Sequence, residues 1–282
     1  MAVARVARAA RAGVAPSSAP VTVVSIARPE FRPDPSLSRP EMERLQREIG
    51  DVATFADDLV FDPGRVTCRS DSSASLADQR PAVAGVDQAF LDDRAVSAIV
   101  VLRGTRVVER VHAVTDTEIP YVPGLLSFRE GASILAALER LSTDPDLLVL
   151  DGSGRIHFRE AGLATHVGVT VDRPSVGVAK SLLCGSPPRS LDGGLPEGDR
   201  VPIEADERVE TAAPGTVLGY AVQTRQHDSD RRHVNPVYVS PGHRMSAETA
   251  ADLVWRCGSG YKLPEPTRLA DRYADELRAD LG

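Results

Sequence analysis

Residues 82–115 read AVAGVDQAFLDDRAVSAIVVLRGTRVVERVHAVT, and their pattern decides the fold. Three Val- and Ile-rich runs, 82–90, 95–103 and 106–115, have the composition of pleated, half-buried strands. The first joint falls at Asp92 and Asp93, the second at Arg103, Gly104 and Thr105. Joints this short force antiparallel neighbours, because a parallel pair needs a crossover of a dozen or more residues. The segment Ile119, Pro120, Tyr121, Val122, Pro123, Gly124 then excludes both helix and central strand through its prolines. A helix over 126–141 follows, with Ile134, Leu138 and Leu141 on one face and Leu135 flanking them. Residues 146–150, Asp-Leu-Leu-Val-Leu, form the continuous apolar run of a strand covered on both faces. With a helix between them, the first and fourth strands can pair in parallel. The expected class is α/β: a mixed sheet, three antiparallel strands then parallel ones, flanked by helices.

Outward from this core, 160–168 reads as a short helix and 174–179 as a buried strand ending at Lys180. A Gly/Pro-rich loop at 185–198, strands at 216–225 and 236–240, and helices at 246–256 and 265–281 complete the chain. On the N-terminal side, Ser38, Pro40 and Glu41 open a helix over 38–49, and 63–80 reads as a loop. Residues 1–37 are Ala/Arg-rich at their start and carry no acid before Glu30, a bias shared by targeting segments and misassigned starts. They are read as a disordered or non-native extension, leaving 38–282 as one catalytic domain.

A chain of 282 residues with 42% apolar content can bury a substantial core. No stretch reaches the ~18 uninterrupted apolar residues of a membrane span. Cys68, Cys184 and Cys257 are scattered and lack Cys-x-x-Cys spacing, which disfavours disulfides and zinc ribbons and suits a reducing cytoplasm. A net charge of -7 is unusual for a protein that neutralises phosphates. Either the partner is not nucleic acid, or a local basic face and a metal do the binding.

Three carboxylates stand out. Asp87 lies within the first strand, Asp151 just past the fourth, and Glu130 four and eight residues before Ile134 and Leu138, on their inward face. An inward-facing charge is costly without a partner, and a hard divalent cation such as Mg²⁺ supplies one. Carboxylates holding such cations suit phosphodiester hydrolysis. Against this stands the plain alternative that, among 40 acids, most are simply solvated.

The order of elements resembles the ribonuclease-H-like fold. Within it, VAGVDQAF at 83–90, IPYVPGLLSFRE at 119–130, LLVLDGSGRIHFREAGLATHVGV at 147–169 and PSVGVAKSLL at 174–183 closely resemble endonuclease V, from about residue 42 to about 265. The resemblance implies a DNA-repair nuclease that recognises deoxyinosine and hydrolyses the second phosphodiester on its 3′ side, leaving 3′-hydroxyl and 5′-phosphate. It implies Mg²⁺, replaceable by Mn²⁺, held by Asp87, Glu130 and Asp151. It also implies His243 as a fourth active-site residue and Lys180 beside the carboxylates or the scissile phosphate. Pro120, Tyr121, Val122 and Pro123 match a wedge that enters the duplex where a base is extruded. Gly152, Gly154 and His157 match a lesion pocket, although Ser153 stands where relatives often carry His or Asn. The implied partner is DNA containing deaminated bases, with no membrane contact and the protein a monomer. Two other readings stay open: an inosine-specific ribonuclease and a non-catalytic lesion-binding protein. Retention of all three carboxylates argues against the latter.

Overall fold

The computed structural model describes residues 24–69, 79–117, 119–191, 194–226 and 235–281. Strands β1 (Ala82–Leu91), β2 (Arg94–Arg103) and β3 (Arg106–Asp116) form the expected antiparallel meander. Helix α2 (Leu126–Leu138) carries the chain across to β4 (Leu147–Asp151), which pairs parallel with β1. Helix α3 (Leu163–Val171) likewise leads to β5 (Ser175–Ala179), parallel to β4. The antiparallel strands β6 (Arg200–Glu204), β7 (Val217–Val222) and β8 (Val237–His243) extend the sheet, whose order is β3-β2-β1-β4-β5-β8-β7-β6. The expected mixed sheet is therefore present, and β6 is an addition to it. Helix α3 starts later than expected because Glu160 adopts φ +50° and Gly162 caps the helix from an extended conformation. Among the described residues no helix is long and apolar enough to cross a membrane.

Strand alternation sorts the core into two layers. Ala82, Ala84, Val86 and Ile99 pack with Ile134 and Leu138 of α2 and Val167 of α3. Val83, Val100, Leu147 and Val149 pack on the other face with α4 (Ala247–Arg256) and α5 (Glu265–Leu281). On that second face α5 comes very close to β1. A Cβ placed on Gly85 would stand 2.0 Å from the carbonyl oxygen of Pro266. Backbone cannot yield as a flexible side chain can, so Gly85→Ala should destabilise the protein by about 3 kcal/mol, the upper range for overpacking. Urea unfolding checks this, and a variant as stable as its parent would contradict the described approach of α5.

Part of the segment read as an extension is built into the fold. Residues 24–37 form a strap ahead of α1 (Arg39–Val52), in which Val24 is 1% and Phe31 7% exposed. The amides of Ala27 and Arg28 both donate to the Thr170 carbonyl of α3, and His166 Nε2 reaches the Phe31 carbonyl at 2.7 Å. The sequence boundary at 37 is thus too late for these residues, because an Arg- and Pro-rich context hid two apolar anchors. Residues 1–23 lie outside the described residues. The helix expected at 38–49 is α1, with Ser38 and Glu41 closing a reciprocal capping box.

Candidate active site

The register of β1 against β4 pairs Val86 with Leu150, so Asp87 and Asp151 emerge side by side where β4 ends, midway along β1. Glu130, in the first turns of α2, is 7% exposed and lines the same cavity, of about 710 Å³. Lys180 follows β5 directly, and its Nζ sits 2.7 Å from Asp151 Oδ2. The three carboxylates and the lysine singled out from sequence are thus brought together. The structure adds an acid that sequence reasoning missed: Asp271 of α5, with Oδ1 3.8 Å from Lys180 Nζ. A signal was available, since Asp271 lies four residues after Thr267 and three before Ala274, both buried. The helical argument that placed Glu130 on an inward face applies equally there.

Burial, followed by the charge of Asp151, pushes the Asp87 carboxyl up to about 8. Burial likewise pushes Glu130 up to about 8, with the Arg129 guanidinium pulling the other way. Lys180 is held above its ordinary value despite burial, because Asp151, Asp87 and Asp271 surround it. One ammonium thus faces three acids, and one of them, Asp87, holds its proton near neutral pH.

A hard divalent cation fits these donors in kind. The carboxylate oxygens share one cavity, and the energetic penalty on ionising Asp87 and Glu130 is the one a cation removes. Among the described residues no three His, Cys, Asp or Glu side chains are gathered tightly enough to form a finished ligand cage. The donor set therefore matches a site completed by water and substrate oxygens rather than an all-protein cage.

The double-proline loop stands at the cavity mouth. Ile119 and Val122 pack against Met42, Leu125 and Phe128, while Tyr121 is 61% exposed, and both Tyr121 and Pro123 line the cavity. His157 supports this loop from beneath. Its Nε2 lies 3.0 Å from the Gly124 carbonyl, and its Nδ1 accepts from the Arg159 amide at 3.2 Å. Those contacts require a neutral ring with the proton on Nε2. Gln46 Nε2 donates to the same carbonyl, while its Oε1 accepts from Arg159 Nε. With both ring nitrogens engaged, His157 borders the cavity as a brace for the loop.

Burial lowers His157 to about 4, and it lowers His166 equally. Between the ordinary 6.5 and about 4, the unfolded chain takes up protons that the folded protein refuses. Stability attached to both rings is present above pH 6.5 and drains away as pH falls towards 4. The expected loss at pH 5 is about 2 kcal/mol for each ring. Comparing urea midpoints at pH 7 and 5 for the parent and for His166→Gln checks the contribution, which should shrink in the variant.

Two of the expected site residues are elsewhere. His243 ends β8, which runs antiparallel to β5 and pairs His243 with Ser175, at the end of β5 remote from Lys180. It is 2% exposed, accepts from the Thr54 amide at 3.1 Å and faces Asp172 Oδ1 at 3.1 Å. Strand direction thus carries it away from the carboxylates. Gly154 also points away from the cavity. A Cβ there would stand 2.4 Å from the Pro241 carbonyl oxygen, so this glycine admits β8 rather than a base. Gly152 does line the cavity, whereas Pro120 and Val122 serve the loop without lining it.

The sequence model of the endonuclease V family matches residues 67–272. An endonuclease V of Haloarcula marismortui is 62% identical over 262 residues, covering 89% of this chain and 97% of that protein. Among solved structures, the endonuclease V of Bacillus subtilis superimposes with a TM-score of 0.70 at 25% identity, covering 88% of this chain and 95% of the other. The Ciona intestinalis endonuclease V, solved in complex with a 24mer DNA containing an inosine followed by a ribo-adenosine, gives a TM-score of 0.66 at 25% identity. That match covers 86% of this chain and 98% of the other.

Proposed function

The chain belongs to the endonuclease V family, and on that premise we propose that it is a repair nuclease acting on DNA with deaminated bases, deoxyinosine first among them. The proposed reaction is hydrolysis of the second phosphodiester 3′ to the lesion, leaving a 3′-hydroxyl and a 5′-phosphate. The observation that carries this reading is the convergence of Asp87, Glu130 and Asp151 on a cavity whose mouth bears the exposed Tyr121 loop.

Asp87, Asp151 and Glu130 would hold Mg²⁺ or Mn²⁺, with Asp271 close enough to assist. Such a cation supplies Lewis acidity at the phosphate under attack. The remaining work belongs to the chain. Lys180 keeps one positive charge beside Asp151, where it orients that carboxylate and attracts the phosphate. Tyr121, on a loop stiffened by two prolines and braced by His157 and Gln46, fills the gap left by an extruded base at little conformational cost. Extrusion is cheapest for a mispaired base, which favours lesions before any pocket contact forms. The cavity, walled partly by Leu163 and Phe90, shields the extruded base from water.

The test is cleavage of an end-labelled duplex carrying one deoxyinosine, beside an undamaged duplex, with Mg²⁺ or with EDTA. A single Mg²⁺-dependent nick one nucleotide beyond the lesion is the expected result. Binding without cutting would replace the reading with a lesion-binding protein. An inosine-specific ribonuclease is the second reading, supported by the ribo-adenosine beside the inosine in the Ciona complex. A parallel arm with inosine-containing RNA decides it, because a contact to the 2′-hydroxyl would make RNA the better substrate.

A further inference from the structure

The chain has 33 basic residues, and every one is arginine except Lys180 and Lys262. Lys180 belongs to the carboxylate centre. Lys262 lies far from it in sequence, on the loop that enters α5 three residues before Glu265, but at the same edge of the sheet. It bonds Thr224, just past β7, and Asn235, just before β8. The register of Ala179 with Tyr238, and of Tyr238 with Ala221, puts both at the Lys180 end of β5. Its backbone is pinned, since its carbonyl accepts from Thr224 Oγ1 at 2.6 Å and Leu263 packs into the core beneath α4 and α5. Its ammonium donates to the side-chain oxygen of Asn235, a neutral partner, and makes no ion pair among the described residues.

The electrostatic setting of this ammonium is unfavourable. Burial, then the nearby charge of Lys180, pull its pKa below the ordinary lysine value. The protein has an excess of acids, 40 against 33 basic residues, and many of its arginines pair with them, as Arg159 does with Glu210 at 2.6 Å and Arg200 with Asp252 at 2.6 Å. A cation that shares an edge with Lys180, has a neutral partner and makes no ion pair among the described residues leaves a deficit that an anion would correct. A compact ammonium on a flexible stem suits a phosphate oxygen approached from a range of angles, where the planar guanidinium fork is more demanding.

We propose that Lys262 is a phosphate-binding residue, whose ammonium holds a backbone phosphate of the bound strand on the sheet edge that carries the Asp151–Lys180 centre. This rests on the nuclease reading and adds to it a positioning contact outside the carboxylate set. Such a contact fixes the register of the strand and carries no sequence or lesion information. It also helps explain how a protein of charge -7 grips nucleic acid, by adding positive charge where the strand must lie.

The test is fluorescence anisotropy with the full chain in EDTA, using a deoxyinosine duplex and an undamaged one between 50 and 200 mM salt. Lys262→Gln keeps a donor for Asn235 and removes the charge, while Lys262→Arg keeps the charge. One lost phosphate contact lowers the slope of log K against log salt by about 0.9, so the deficit of Lys262→Gln should be about threefold larger at 50 than at 200 mM. The deficit should be equal on both duplexes, and Lys262→Arg should restore the slope. An unchanged slope in Lys262→Gln, or a changed slope that Lys262→Arg fails to restore, overturns the proposal. A lowered melting temperature with a parental slope also overturns it, leaving a purely structural lysine. If the parent cuts inosine DNA while the slope stays unchanged, only this inference falls. If the parent binds neither duplex, the nuclease reading falls and this inference with it.

Discussion

Asp151→Asn should reduce single-turnover cleavage of a deoxyinosine duplex by about 10³-fold or more while leaving affinity in EDTA within about threefold. The rate estimate follows from the several kcal/mol that a carboxylate-held cation contributes to a phosphoryl transition state, at about 1.36 kcal/mol per decade. The substitution keeps the shape of the side chain and removes its charge. Lys180, half-exposed and 3.8 Å from Asp271, retains an acidic neighbour. Asp87 loses the like charge that helps hold its carboxyl up near 8, so no new buried repulsion appears. The fold should therefore survive within about 1 kcal/mol, because the Lys180 ammonium stays half-exposed and solvated. A rate within tenfold of the parent would remove Asp151 from the chemistry. A collapse of affinity in EDTA would assign it to binding instead.

The parts of this site legible in sequence are those fixed by local rules. Short joints set the β1–β3 meander, the prolines between Ile119 and Gly124 end it, and one crossover helix makes β4 parallel to β1. Once that register is known, Asp87 and Asp151 must be neighbours, and helical spacing turns Glu130 inward. What stayed hidden depends on long-range placement. Asp271 reaches the site only because α5 lies against Gly85, a contact between segments far apart in sequence. His243 was expected near the acids because its local context matched, but the antiparallel course of β8 puts it at the opposite end of β5. His157 was expected to line the pocket, and it does border the cavity, but only the structure shows its two nitrogens taken up by Gly124 and Arg159. Identity of residue type survived the comparison better than direction of side chain. Direction is set by packing that no window of sequence contains.

The strap shows the same lesson energetically, and removing it should have the largest effect on stability. A chain lacking residues 1–37 should be less stable by about 5 kcal/mol than one lacking only residues 1–23, with a melting temperature lower by roughly 10 °C. Val24 and Phe31 are nearly fully buried, and each apolar side chain returned to water costs about 1.5–3 kcal/mol. The loss continues beneath them. His166 would give up the Phe31 carbonyl, leaving a buried ring whose Nδ1 already lacks a partner. A buried polar ring with neither nitrogen satisfied adds a further desolvation penalty. Activity should fall as well, because the strap braces α2 beside the carboxylate centre. Pro33 Cγ stands 2.6 Å from where a Cβ on Gly131 would lie, directly after Glu130, and the Phe128 ring meets His166 edge-on at 5.3 Å. If the shortened chain fails to fold, Phe31→Ala retains the backbone contacts and tests the same anchor at smaller amplitude. Equal melting temperatures for the two shortened chains would mean that the strap rests on the body without holding it. In that event the position of Glu130 must be secured by α2 alone.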